Sequence, residues 1–140
     1  MKFLGNLFKR EKNIFLTTQG KSKFSDSVKH ALNGIEYAMD HERNVKVEMF
    51  IGILVSIAGF IFHISIFEWL VILLTIAMVI TLEFINTAIE RVVDLVTTDY
   101  KELAKASKDV AAGAVLIMSL FSVIIGIVIF LPKIIDIFCK

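Results

Sequence analysis

Three runs almost free of formal charge dominate this chain: Met49–Phe67, Trp69–Ile89 and Val110–Leu131. They are 19, 21 and 22 residues long, and Glu83 is the only charge inside them. A helix rises about 1.5 Å per residue, so each run reaches the roughly 30 Å needed to cross a hydrocarbon core. An open sheet cannot satisfy its backbone in lipid, which leaves helices. The chain is 56% hydrophobic with a mean hydropathy of +0.76, and one proline and seven glycines leave little room for soluble loops. The expectation is an all-α integral membrane protein. Met1–Glu48 is too polar and charged for a signal peptide, so the first run is expected to remain as a span. The single cysteine, Cys139, excludes an internal disulfide and a Cys-based metal cluster.

The net charge of +1 is uninformative, but its distribution is not. Of 15 Lys and Arg, nine precede Met49, four lie between Arg91 and Lys108, and only Lys133 and Lys140 fall elsewhere. The positive-inside rule then predicts a cytoplasmic N-terminus and a cytoplasmic 91–109 loop. The hairpin near His63–Glu68 and the C-terminus are expected outside.

Residues 1–23 read as a basic tail near anionic headgroups or simply in solvent. Residues 24–47 read as an amphipathic surface helix. Phe24, Val28, Ala31, Leu32, Ile35 and Met39 recur at helical spacing, opposite Asp26, Lys29, Asn33, Glu36 and Asp40. Gly52 and Gly59 would permit close helix contact. Trp69 suits an interfacial anchor, and Glu68 reads as a solvated charge at the hairpin. In TTDYKELAKASKD a helix is expected to start near Thr98 or Asp99, either of which could cap it, and to run on into the third span. Residues 133–140 are expected to form a short tail.

The stretch LEFINTAIERVVD places carboxylates where a membrane helix should have none. At about 100° per residue from Glu83, Asn86 lies near 300°, Glu90 near 340° and Asp94 near 20°. All four share one stripe, about 80° wide. An ionised group at membrane depth costs several kcal/mol or more unless paired, metal-bound or neutralised. A single acid could serve helix association. Three acids and an asparagine in register favour a functional site, and hard oxygen donors favour magnesium or calcium. Glu42, Arg43, Asn44 and Glu48 on one side, and Lys105, Lys108 and Asp109 on the other, could meet this stripe. Acids from two helices with a nearby lysine suit metal–phosphate chemistry. Lys105 and Arg91 alone read as topology markers. No GxxxxGK[ST] loop or kinase-type glycine loop is present.

Three functions compete at this point: a lipid-alcohol kinase, a small ion or proton transporter, and an assembly protein. A transporter needs polar residues through the whole span, and LVILLTIAMVI has no relay. An assembly protein needs no acid cluster outside the helices.

Three blocks, FSDSVKHALNGIEYAMDHERN, LEFINTAIERVVDL and KELAKASKDVAAGAVLI, resemble the small prokaryotic membrane lipid kinases, the diacylglycerol kinase/undecaprenol kinase family. With the spans between them they cover about Phe24 to Pro132, a lipid kinase domain over 24–132. HERN around Glu42 and the LPK at 131–133 resemble the Gram-positive branch, whose members typically phosphorylate undecaprenol. The resemblance implies a homotrimer in a bacterial cell membrane, with composite sites between subunits and no nucleic-acid partner. It implies MgATP as donor and a lipid alcohol, undecaprenol or else diacylglycerol, as acceptor. Glu83 matches the general base and Asn86 the asparagine supporting the catalytic acids. Glu42 and Glu90 match the Mg²⁺-binding acids, and Asp94 the acid one turn beyond. Lys108 and Asp109 match a nucleotide-contacting pair. Asp99, Tyr100 and Lys101 fall where a loop touches the nucleotide, and Lys23 where a basic residue approaches ATP. Ser107 replaces the usual small apolar residue in AKASKD. Glu83 would then sit deepest because its partner is the hydroxyl of a lipid whose tails stay in the bilayer.

Overall fold

The computed structural model describes residues 24–139. The basic tail and Lys23 therefore lie outside the described residues. Four helices follow in order: α1 (Phe24–His41), α2 (Arg43–Ile61), α3 (Ile66–Val96) and α4 (Glu102–Phe138), with no strand among the described residues. The last three are long and apolar enough to cross a membrane, so the chain is an all-α integral membrane protein. Contacts divide it into two units, one ending at Tyr37 and one running from Ala38. Within the first, α1 leaves Phe24, Val28, Leu32 and Ile35 exposed along one face, the pattern of a helix that lies on a membrane surface.

The boundaries differ from the sequence expectation in a consistent way. Helix α1 does not run to residue 47. It stops at His41, because Glu42 is extended (φ −109°, ψ 119°) and α2 starts at Arg43. Two bonds hold this corner: Glu42 pairs with Arg91 of α3, and Lys46 Nζ donates to the Asp40 carbonyl at 3.2 Å. The polar residues Arg43, Asn44 and Lys46 thus form the first turn of a spanning helix.

At the other end, α2 closes at Ile61 rather than Phe67. The Ile64 N–H reaches back to the Gly59 carbonyl (3.2 Å) and the His63 N–H to that of Phe60 (3.3 Å). His63 takes the left-handed φ of 49° that this cap requires. Ser65 then caps α3 in a reciprocal box: Glu68 N–H donates to Ser65 Oγ (3.3 Å) and Ser65 N–H to Glu68 Oε2 (2.6 Å). Glu68 also meets Lys133 Nζ at 3.2 Å. It remains a solvated charge, as expected, and also caps α3 and bridges to α4.

Helix α3 is central and packs on both α2 and α4. Gly52 and Gly59 are buried at the α2–α3 contact. A Cβ on Gly52 would lie 3.0 Å from Ile76 Cγ2, and one on Gly59 would lie 2.9 Å from the Trp69 ring. Trp69 packs here as well, 4.7 Å from the Phe60 ring. Ile64, Ile72 and Ile129 form the buried centre near the hairpin. The spans are tightly apolar at that end and polar at the Glu42 end.

The α3–α4 link also departs from expectation. Thr97 Oγ1 accepts from the Asp99 N–H at 3.1 Å, which holds a turn, and α4 starts at Glu102. Neither Thr98 nor Asp99 caps it; Lys101 does, without a side-chain bond. Helix α4 continues through Pro132 to Phe138, so most of the expected tail is helical. Pro132 has no N–H for the Val128 carbonyl, a loss that membrane helices tolerate.

Candidate active site

The stripe on α3 is a row of polar side chains that descends into the protein. Glu83 is 3% exposed, Thr87 6% and Asn86 7%. Glu90 is half-buried and Asp94 exposed. Asn86 Nδ2 donates to Glu90 Oε1 at 3.2 Å, which fixes the amide orientation and leaves Asn86 Oδ1 buried with no donor.

The corner before α2 brings its own polar groups to this row. Asn44 and the charges of Glu42 and Glu90 all act on the Glu83 carboxyl. Glu48, one turn further along α2, also feels Glu83, and its Oε2 is buried without a partner. Glu42, Glu48, Glu83 and Glu90 thus share one polar region, with Asn86 bonded to Glu90 and the Arg91 guanidinium on Glu42.

A second group forms where α3 meets α4. Lys108 Nζ pairs with Asp94 Oδ1 at 2.6 Å, and Lys105 pairs with Asp109. Asp94, Asp99, Tyr100, Lys101, Lys108 and Asp109 line one open cavity of about 360 Å³. The sequence-predicted site residues thus fall into two clusters. Glu83, Asn86, Glu90 and Glu42 make one, and the six cavity residues make the other. Asp94, one turn beyond Glu90 on α3, belongs to the second.

Among the described residues, no group of three or more His, Cys, Asp or Glu comes together as a metal-holding set. Glu42 and Glu90 are two carboxylates, and Asn86 Oδ1 is an acceptor in want of a partner. That donor set fits magnesium, which takes one or two carboxylates and completes its shell with phosphate and water.

Sequence reasoning passed over three residues here. Asn44 and Glu48 were noted only as neighbours of Glu42, and Arg91 was read as a topology marker. Glu48 sits six residues after Glu42, beyond a corner that the expected helix over 24–47 did not contain.

The family model for prokaryotic diacylglycerol kinase matches residues 29–130. The chain belongs to that family. It is a membrane lipid kinase, and the kinase reaction implies ATP as phosphoryl donor. The transporter and assembly readings therefore fall. The kinase is 46% identical over 112 residues to the undecaprenol kinase of Bacillus subtilis (strain 168), covering 80% of this chain and 91% of that protein. It is 40% identical over 111 residues to the diacylglycerol kinase of Synechocystis sp., covering 79% of this chain and 63% of the relative. The diacylglycerol kinase of Haemophilus influenzae is 31% identical over 101 residues, covering 71% of this chain and 85% of the relative.

Proposed function

We propose that this kinase transfers the γ-phosphoryl group of ATP to the hydroxyl of undecaprenol. The observation that carries the acceptor is the similarity to an undecaprenol kinase along nearly all of that relative's length. Diacylglycerol is the second reading, favoured by the two diacylglycerol kinases among the relatives.

The roles follow from depth. Glu83 is the most buried acid of the stripe, so it takes the proton of a hydroxyl whose tail remains in the bilayer. Asn86 holds Glu90 in one orientation through its amide. Glu42 and Glu90 are the carboxylates that hold Mg²⁺, which supplies charge neutralisation for the phosphates. Lys108 is the cation that meets the nucleotide, in exchange for Asp94. Asp99, Tyr100, Lys101 and Asp109 line its approach. A cavity of about 220 Å³ among the three spans, bordered by Glu48, Val55, Thr75, Val79 and Ser122, gives an apolar tail room beside the acids. The lysine and arginine asymmetry supports a cytoplasmic site. Extensive apolar exposure on all three spans supports lipid contact and the homotrimer that the resemblance implies.

Phosphoryl transfer depends on positioning and charge, so the tail itself gives little preference. Discrimination rests on the headgroup. Undecaprenol has a primary allylic hydroxyl, whereas diacylglycerol adds two ester carbonyls, each costing about 1–3 kcal/mol if buried without a donor. The test is kcat/KM for both lipids in the same mixed micelles. A preference for undecaprenol of about tenfold or more is expected on that cost. A clear preference for diacylglycerol would reverse the acceptor and leave the kinase chemistry standing.

A further inference from the structure

Glu42 occupies a position that only a specific contact explains. It is the one extended residue between two helices, and it stands at the N-cap of α2. Residues at that position normally turn a short side chain back onto the helix N–H groups. Glu42 makes no such bond. Its carboxylate instead points across to α3, where the Arg91 guanidinium holds Oε1. The side chain of Glu42 is 20% exposed and that of Arg91 44%, so the pair lies at the rim of the acid cluster rather than inside it. Among the described residues, this is the salt bridge that reaches the group formed by Glu42, Glu48, Glu83 and Glu90.

Acids gathered near one another repel. A cation at the rim offsets that repulsion through its ion pair with Glu42. The same cation occupies the oxygen that a metal would use, and two cations cannot share that carboxylate without repulsion. We propose that Arg91 stands in for the metal: it occupies the Glu42 carboxylate until a divalent cation displaces it. The inference rests on the reading of Glu42 as a metal-binding acid. Arg91 touches neither the hydroxyl nor the reacting phosphorus. It acts through Glu42, and its partly exposed place lets it leave toward solvent when displaced.

The sign of its effect on metal affinity separates this role from a purely structural one. Loss of a structural strut would weaken metal binding by loosening Glu42. Loss of a stand-in removes a competitor and a repelling charge, so binding tightens.

The experiment is a titration of the purified full chain in micelles with Mn²⁺, read by the loss of free-ion electron paramagnetic resonance signal, without nucleotide or lipid. Arg91→Gln should bind Mn²⁺ about three- to fivefold more tightly than wild type, the scale of a partly exposed ion pair removed. Glu42→Gln should bind it weakly, and the double variant should match Glu42→Gln. Unchanged or weaker binding by Arg91→Gln, with the Glu42→Gln loss intact, overturns the stand-in role and leaves the metal assignment standing. Normal binding by Glu42→Gln overturns both. Should Arg91→Gln fail to fold, Arg91→Lys is read in its place. It keeps the charge but loses the planar fork, and a smaller tightening, about twofold, is expected; no tightening overturns the proposal.

Discussion

Asn86 donates to Glu90 Oε1 across one turn of α3, and in doing so strands its own Oδ1 in the protein without a donor. A buried acceptor left unpaired costs about 1–3 kcal/mol, so the helix carries this residue at a loss. Asn86→Leu removes the stranded atom at similar volume. The thermal midpoint in micelles should hold or rise, while turnover falls by about a hundredfold as Glu90 loses its partner. A lower midpoint with activity intact would mean that Asn86 is only structural.

Glu83 is the deepest acid of the stripe. Glu83→Gln keeps the shape but removes the proposed base. Turnover should drop by about 10²–10⁴ with saturating lipid and ATP, and nucleotide binding should remain close to wild type. Near-normal turnover would remove Glu83 from the chemistry.

Glu90 is half-buried, and its charge and that of Glu42 both act on Glu83. Glu90→Ala should raise the Mg²⁺ concentration needed for half-maximal activity, and added Mg²⁺ should restore part of the rate, since magnesium needs only one or two protein carboxylates. A loss of rate that no Mg²⁺ concentration alters would mean that Glu90 is not a ligand.

How much of this was legible in the sequence depends on the physical scale of each feature. The spans and the stripe were legible because both are periodic: about 20 apolar residues cross a bilayer, and acids at 83, 90 and 94 fall on one helical face. The corner at Glu42 was not. DHERNVKVE contains no glycine or proline, and its helical pattern runs on without interruption. The break follows from a contact between residues 49 positions apart, Glu42 and Arg91. For the same reason Arg91 passed as a topology marker. The short tail expected at 133–140 was misjudged in the opposite direction: α4 carries Pro132 and runs on to Phe138.

Close packing of α2 on α3 leaves a graded signature in its glycines. Gly59→Ala drives a Cβ to 2.9 Å from the Trp69 ring, and Gly59→Val adds two more methyls. The valine variant should destabilise the protein by about 1–3 kcal/mol, read as a lower thermal midpoint. Gly126 meets nothing within 4 Å, so Gly126→Ala should be neutral or stabilising by up to about 1 kcal/mol through helix propensity. Equal effects at the two sites would contradict this packing.

The orientation of the site can be tested with the chain's own cysteine. Helix α4 crosses once between the Thr97–Lys101 link and Cys139, so those two points must face opposite sides of the membrane. Thirteen of the 15 Lys and Arg lie on the side of the link, which predicts that the link and the acids beside it face the cytoplasm. Cys139 is exposed and is the single native thiol. An impermeant maleimide added to intact cells should therefore label the native protein. In a Cys139→Ser background, Thr98→Cys should be labelled only in inside-out vesicles. The native thiol and the introduced one thus act as mirror controls, and a reagent leak would label both from the same side. Labelling of Thr98→Cys from outside intact cells, with Cys139 silent there, would invert the topology. It would also put the acid cluster on the side of the membrane that ATP does not reach.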